Sequence, residues 1–324
     1  MNLVVNKKGF LTVVLSFIFS IILVLMPWDA WRSTEYLDRS NYASYIDESL
    51  NKIYWFNYDS FLLKLTHEWL WHKGLNFSTE VLGLTSVEIL FFISFLLVLV
   101  SSLFLVKKYG YLSLLLLLTP VYIDFMYSQL RLAFVISILF IAYYLFRRYK
   151  KLAILLALIT PFIHTSAVIF IAIFFFSLFL ENSRIIQPRF KALLSILVGL
   201  SFGLLTGPFL SSVLTIIGDR RAEGYPDMSS SIAYMSFWIV FFAYLAIKGL
   251  FENKNRLFSF YLSLTILGIV SIQTILGGYP SRYLVAFFPF LLGTMIETKA
   301  KEQPIIILCY VGYTAFLWLY WLNN

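Results

Sequence analysis

The chain has one cysteine in 324 residues, and Cys309 sits within an apolar run. That excludes intrachain disulfides, cysteine-rich metal sites and iron–sulfur clusters, and its neighbours predict a core position for it. Charge is scarce as well, at 13% against 60% apolar residues, with a mean hydropathy of +0.83. No soluble domain tolerates that balance, because it would expose most of its apolar surface to water. Long polar stretches are also missing. The apolar residues form long runs separated by short charged loops, so no segment of about 100 residues remains for a soluble catalytic domain. The composition predicts an all-α polytopic membrane protein, one integral membrane domain over 1–324. Walker loops, Gly-rich dinucleotide fingerprints, metal-ligand clusters and Ser-His-acid motifs are absent too, so neither a nucleotide cofactor nor a metal is expected.

What is present is a series of hydrophobic runs: Phe10 to Pro27, Val87 to Val106, Tyr111 to Phe125, Leu130 to Phe146, Ala192 to Ile217, Ile232 to Ala246, Phe258 to Leu276, Tyr283 to Ile296 and Pro304 to Leu322. Each reads as a membrane span. The first carries Lys7 and Lys8 as a signal peptide would, but Met26 to Ala30 has no small-residue cleavage pattern, which predicts an uncleaved anchor with a cytoplasmic amino end. The Leu152 to Leu180 run is longer. If it crosses twice there are eleven spans, and the cytoplasmic side receives sixteen of the 25 basic residues and four of the 17 acidic ones. Every inner loop is then basic, as the positive-inside rule demands, and the carboxyl terminus lies outside. A single crossing undoes the bias. The net charge of +8 is therefore a topology signal, and nucleic acid is not needed as a partner.

Two crossings in 29 residues reach only about 44 Å, whereas two full traverses of the bilayer core need about 60 Å. The helices must be short and their turn sunk in the membrane. Thr160 to Ser166 supplies that turn, with Pro161 to break the helix and hydroxyls to satisfy the released backbone. His164 then lies below the outer surface. Irregular backbone at such depth is tolerated only inside protein or against a wet cavity, which makes the turn a functional suspect. A neutral histidine bonded within its own turn is the structural alternative.

A long outer loop is expected at about 28–86, with short ones around Asp124 to Arg131, Gly218 to Ser231 and Gly277 to Arg282. The short loops carry Arg131, Arg220, Arg221 and Arg282 and no lysine. The rigid fork and weak hydration of arginine suit phosphate or carboxylate at a half-buried site. An anion arriving from the membrane, a lipid phosphate or diphosphate, explains basic residues on the side that disfavours them. The alternative is pairing with Asp124, Asp219, Glu223 and Asp227, or snorkelling to headgroups.

Other features have structural readings. Thr85 to Glu88 forms a capping box. The segment His67 to His72 looks like a metalloprotease helix, but its histidines are five apart and do not share the face that zinc needs; with its tryptophans it suits the membrane interface. Gly199, Gly203 and Gly207 form a ridge of small residues for a neighbouring helix.

The segment Ser128 to Ala133, followed about thirty residues later by Phe162 to Ala167, resembles the EpsG-like and Wzy-type bacterial polysaccharide polymerases. Asp38 to Tyr42 and Tyr279 to Tyr283 are similar to further patches of that group. The resemblance implies a GT-C-like enzyme with short broken helices around His164. Such an enzyme works at the outer face of the cytoplasmic membrane without metal or nucleotide sugar, and joins polyprenyl-diphosphate-linked glycans. A flippase and a chain-length regulator are the implied companions. His164 is then the general base, and Arg131 is catalytic with it. Arg282 and one or both of Arg220 and Arg221 hold the diphosphate with Arg131; Asp38 and Tyr42 orient acceptor hydroxyls or pair with an arginine, and Tyr225 and Tyr283 contact substrate. A polysaccharide ligase is the rival enzyme; a flippase or transporter of lipid-linked oligosaccharide is the rival of another class.

Overall fold

The computed structural model describes residues 7–32, 36–48, 58–216 and 231–323, and these are all-helical, with no strand among them. The chain divides into two compact units. One runs to Ile169 and includes the residues from Trp318 onward; the other is Phe170 to Leu317.

In the first unit, α1 (Lys7–Leu25) is followed by four short helices, α2 (Trp28–Trp31), α3 (Leu37–Asp47), α4 (Phe61–Thr66) and α5 (Trp69–Asn76). The expected long loop is therefore substantially helical. α6 (Ser86–Tyr109) starts at the anticipated capping box: the Thr85 hydroxyl accepts from Glu88 N at 3.3 Å, and the Glu88 carboxylate accepts from Thr85 N at 2.8 Å. Lys107 and Lys108 in its last turn complement the helix dipole, and Gly110, at φ 88°, ends it in a conformation that only glycine adopts freely. A 3-10 stretch over Tyr111–Leu117 then bends by 77° into α7 (Pro120–Ser128). Asp124 to Arg131 is consequently not a loop. It is the end of α7, a break at Gln129, and the start of α8 (Leu130–Leu145). The Leu152 to Leu180 run is interrupted where Pro161 predicts: α9 (Lys150–Ile159), a 3-10 turn at Thr160–Phe162, then α10 (Ala167–Asn182).

α1 packs on α6 through Phe17 and Phe95, ring centroids 5.4 Å apart, and α6 packs on α8 through Phe104 and Phe140 at 5.8 Å. The buried Ser94 hydroxyl of α6 donates to Met126 O of α7 at 2.7 Å, which fixes the bent segment against the long helix. The end of the chain joins this unit through a tryptophan cluster. Trp318 lies 5.9 Å from Trp28 and donates to Leu118 O at 3.1 Å, and Trp321 donates to Asp124 at 3.2 Å.

The second unit contains most of α10, then α11 (Pro188–Thr206), α12 (Leu210–Ile216), α13 (Ile232–Phe251), α14 (Phe258–Leu276), α15 (Pro280–Ala286), α16 (Phe288–Ile296) and the larger part of α17 (Gln303–Asn323). α14 is buried nearly all round and forms the centre. The glycine ridge of α11 lies against it as anticipated, so close that a Cβ added at Gly199 would stand 2.4 Å from Thr265 O. Cys309 is exposed on α17, contrary to the core position expected from its apolar neighbours; hydropathy alone does not separate a face turned inward from one turned toward lipid.

Among the described residues, five helices are long and apolar enough to cross a membrane (α6, α11, α13, α14 and α17), and the bent pair ending in α7 brings the number to six. Three shorter apolar helices, Gly9–Leu25, Leu130–Leu145 and Ala167–Asn182, accompany them. These proportions fit a multi-pass membrane protein.

Candidate functional site

The first unit brings a group of ionisable residues together where three chain breaks meet. α4 ends at His67 and α5 begins at Trp69, so the metalloprotease-like segment is not one helix. The hinge is Glu68, at φ 52° and ψ 47°, the one non-glycine residue with positive φ among those described. A left-handed conformation is costly for a residue with a Cβ and persists only where its surroundings enforce it. Here the result is a carboxylate with a side chain only 4% exposed.

That carboxylate holds two of the expected catalytic residues together. One oxygen accepts from Arg131 Nη1, the other from His164 Nδ1 at 2.5 Å and from Thr165 N at 3.4 Å. Arg131 reaches it from the first turn of α8, just past the Gln129 break, and His164 from the turn after the Pro161 stop. The Thr165 hydroxyl donates to Leu65 O at 3.2 Å and Phe61 meets Phe162 edge-on at 5.4 Å, so α4 is clamped against the histidine turn. Because a carboxylate only accepts, the ring proton of His164 sits on Nδ1, and Nε2 is the basic nitrogen of the neutral ring.

Tyr42 completes the group. Its hydroxyl accepts from Arg131 Nε at 2.8 Å, its ring lies 5.5 Å from the guanidinium carbon, and Trp71 packs on it at 5.9 Å. Burial raises the Tyr42 phenol above its ordinary pKa, with Arg131 opposing, so it remains protonated through the physiological range. Arg131 uses Nε and one Nη1 hydrogen in these contacts. Its other donors remain for an anion, and its side chain is one third exposed, at 33%, against 16% for His164.

α3 continues the arrangement by one turn. Asp38 accepts from Gln129 Nε2 at 2.5 Å, and Arg39 lies over the Tyr127 ring at 3.9 Å and donates to Tyr127 O at 3.4 Å. Burial lowers the Arg39 pKa from its usual value. Asp124, a candidate partner for Arg131, pairs with Arg32 at 3.3 Å instead.

Of the remaining expected residues, Arg282 and Tyr283 belong to the second unit. Arg282 stands over Tyr279 at 4.1 Å, and Tyr283 is buried beside Phe170, with ring centroids 5.5 Å apart. Arg220, Arg221 and Tyr225 lie outside the described residues, as do Asp219, Glu223 and Asp227. Sequence reasoning missed Glu68, Trp71 and Thr165. No local pattern marks the first, which stands between His67 and Trp69 in a segment of mixed polarity. No protein-family model, no curated protein and no solved structure matches this chain.

Proposed function

We propose that the chain is a membrane glycosyltransferase that polymerises polyprenyl-diphosphate-linked oligosaccharide repeat units at the outer face of the bacterial cytoplasmic membrane. The observation that carries this reading is the Glu68 carboxylate, which holds Arg131 and His164 side by side in a half-buried setting. In this reading His164 Nε2 takes the proton of the acceptor sugar hydroxyl as its oxygen attacks the anomeric carbon of the donor chain. The bond from that carbon to the diphosphate oxygen breaks, and the electrons leave with the diphosphate. Arg131 offers its remaining donors to the growing negative charge, where exclusion of water strengthens the interaction. General-base assistance of this kind contributes about 10² to 10⁴ in rate. Glu68 fixes the tautomer of His164 and the orientation of Arg131, and Asp38 and Tyr42 lie on the same face of α3, where a substrate would pass.

The matching topology has eleven crossings. α1, α8, α9, α10, the bent segment ending in α7 and the α15–α16 pair join the five long helices, with the amino terminus cytoplasmic, the carboxyl terminus outside, and a GT-C-like arrangement of short helices around His164. The test is a substitution series in a strain whose polymer is resolved as a ladder of chain lengths. Properly inserted Arg131→Ala and His164→Ala proteins are expected to give single repeats only; full ladders from both reject the reading. Accumulation of long carrier-linked polymer on deletion indicates a ligase, and loss of lipid-linked repeats from the outer face indicates a flippase.

A further inference from the structure

The second unit contains a buried cation that the proposed chemistry does not use. Lys191, in the first turns of α11, is 3% exposed. Its ammonium lies 5.9 Å from the Tyr261 ring, and among the described residues no carboxylate is within ion-pair distance of it. The nearby carboxylate of Glu181 is engaged elsewhere, accepting from Phe258 N at 2.9 Å at the start of α14. Burying a charge without a partner costs several kcal/mol unless something supplies the opposite charge.

Three further features surround Lys191. It lines a cavity of about 430 Å³ with Arg184, Ser183, Gln187, Asn255 and one acid, the Glu181 already bonded to Phe258 N. The first turn of α11 contains Arg189 and Lys191 and no acid, so positive side chains crowd the positive end of the helix dipole. Gln187, at the cap, makes no capping bond, and Pro188 has no N–H, so the Arg189 and Phe190 amides face outward without an acceptor from the helix. The basic side chains and the unaccepted amides outweigh that one acid and favour an anion with several acceptor oxygens.

The surroundings also indicate its source. α11 is one of the helices long and apolar enough to cross a membrane, and the cavity lies at its amino-terminal mouth. Ile185, 96% exposed, lines it, and the exposed Phe190 lies in the same first turn of α11 as Lys191. A guest with acyl chains would cover those side chains; a free ion would not. We propose that this cavity binds the phosphate of an anionic phospholipid, with Lys191 as its buried contact and Arg184 as its exposed one. The site is independent of the glycosyltransferase reading.

The test uses the full chain purified in a neutral detergent, with dioleoyl phosphatidic acid, dioleoyl phosphatidylcholine and inorganic phosphate as probes. Retention is measured by native mass spectrometry and protection by thermal shift. Wild type is expected to retain phosphatidic acid at least fivefold over phosphatidylcholine, whose choline ammonium meets Lys191 and Arg184 unfavourably. Lys191→Met is expected to reduce that preference below twofold while melting, lipid-free, no lower than wild type, because an uncompensated buried charge has been removed. Arg184→Gln, at an exposed position where folding is not at issue, is expected to halve the preference or more. An unchanged preference in both variants overturns the proposal, as does equal retention of the two lipids. Protection by inorganic phosphate equal to that by phosphatidic acid also overturns it.

Discussion

Glu68 is constrained in both backbone and side chain. It sits in a left-handed conformation, is nearly buried, and satisfies Arg131, His164 and the Thr165 amide at once. Removing one partner of such a group leaves the others desolvated and unpaired. Glu68→Ala is therefore expected to lower stability by about 3 kcal/mol, the exposed side of Arg131 keeping the loss at the low end of the buried-pair range. Thermal melts against wild type in one detergent measure this. In the proposed reaction Glu68 acts through its neighbours, so its effect should fall on kcat more than on KM, and Glu68→Asp should restore part of it; equal loss in Asp and Ala variants would indicate a role in folding alone. The sequence already pointed to Arg131 and His164, because a proline-broken turn and an arginine at a helix start have local signatures, whereas Asp38 and Tyr42 came only through the resemblance. Glu68 had none. Its role depends on a backbone angle and on contacts 63 and 96 residues away in the chain, which no spacing rule contains.

At the scale of helices, two contacts within the second unit lend themselves to measurement. At Gly199 an added methyl would meet the Thr265 carbonyl at 2.4 Å, and backbone cannot step aside as a flexible side chain does. Gly199→Ala is expected to push α11 from α14 and cost about 1 to 3 kcal/mol, seen as a lower melting temperature. Around the end of α13, Glu252 pairs with Lys299 at 2.7 Å, Arg256 at 2.7 Å and Lys248 at 3.2 Å. The hydrogen bond from Lys299, then that from Lys248, lowers its carboxyl from the ordinary 4.5 to about 2, with partial burial opposing. A depressed carboxyl stabilises the fold above its unfolded pKa and loses that contribution as pH falls through the folded one. The contribution should thus be complete above about pH 5 and decline from there toward pH 2. Glu252→Gln should shrink the difference between melts at pH 7 and pH 3; an unchanged difference would show that the network contributes nothing at this group. The glycine ridge and the capping box were legible in the sequence because their spacing is set by one helix. The division of the Asp124 to Arg131 stretch into two helices was not, since only the packing of α7 on α6 requires it.

For the whole molecule, composition was sufficient to predict an all-helical membrane protein, because burial of so much apolar surface has few other solutions. The number of crossings is a weaker inference, since α1, α8 and α10 are shorter than a straight traverse of the bilayer requires. Labelling decides it. With Cys309→Ser the chain has no thiol, so single cysteines report their own side. Ile185→Cys should react with an impermeant maleimide only after cells are opened, and Leu82→Cys should react in intact cells; the reverse pattern would turn the proposed topology, and with it the outward site, upside down.

The tryptophans at the far end of α17 have an implication for biosynthesis. Trp28 is covered in part by Trp318, and Asp124 is held by both Arg32 and Trp321. The unit that bears Glu68, Arg131 and His164 is thus fastened by residues translated after almost the entire chain. A nascent protein stopped short of them would display Glu68, Arg131 and His164 without that clasp, so this unit closes only once the far part of α17 has been made.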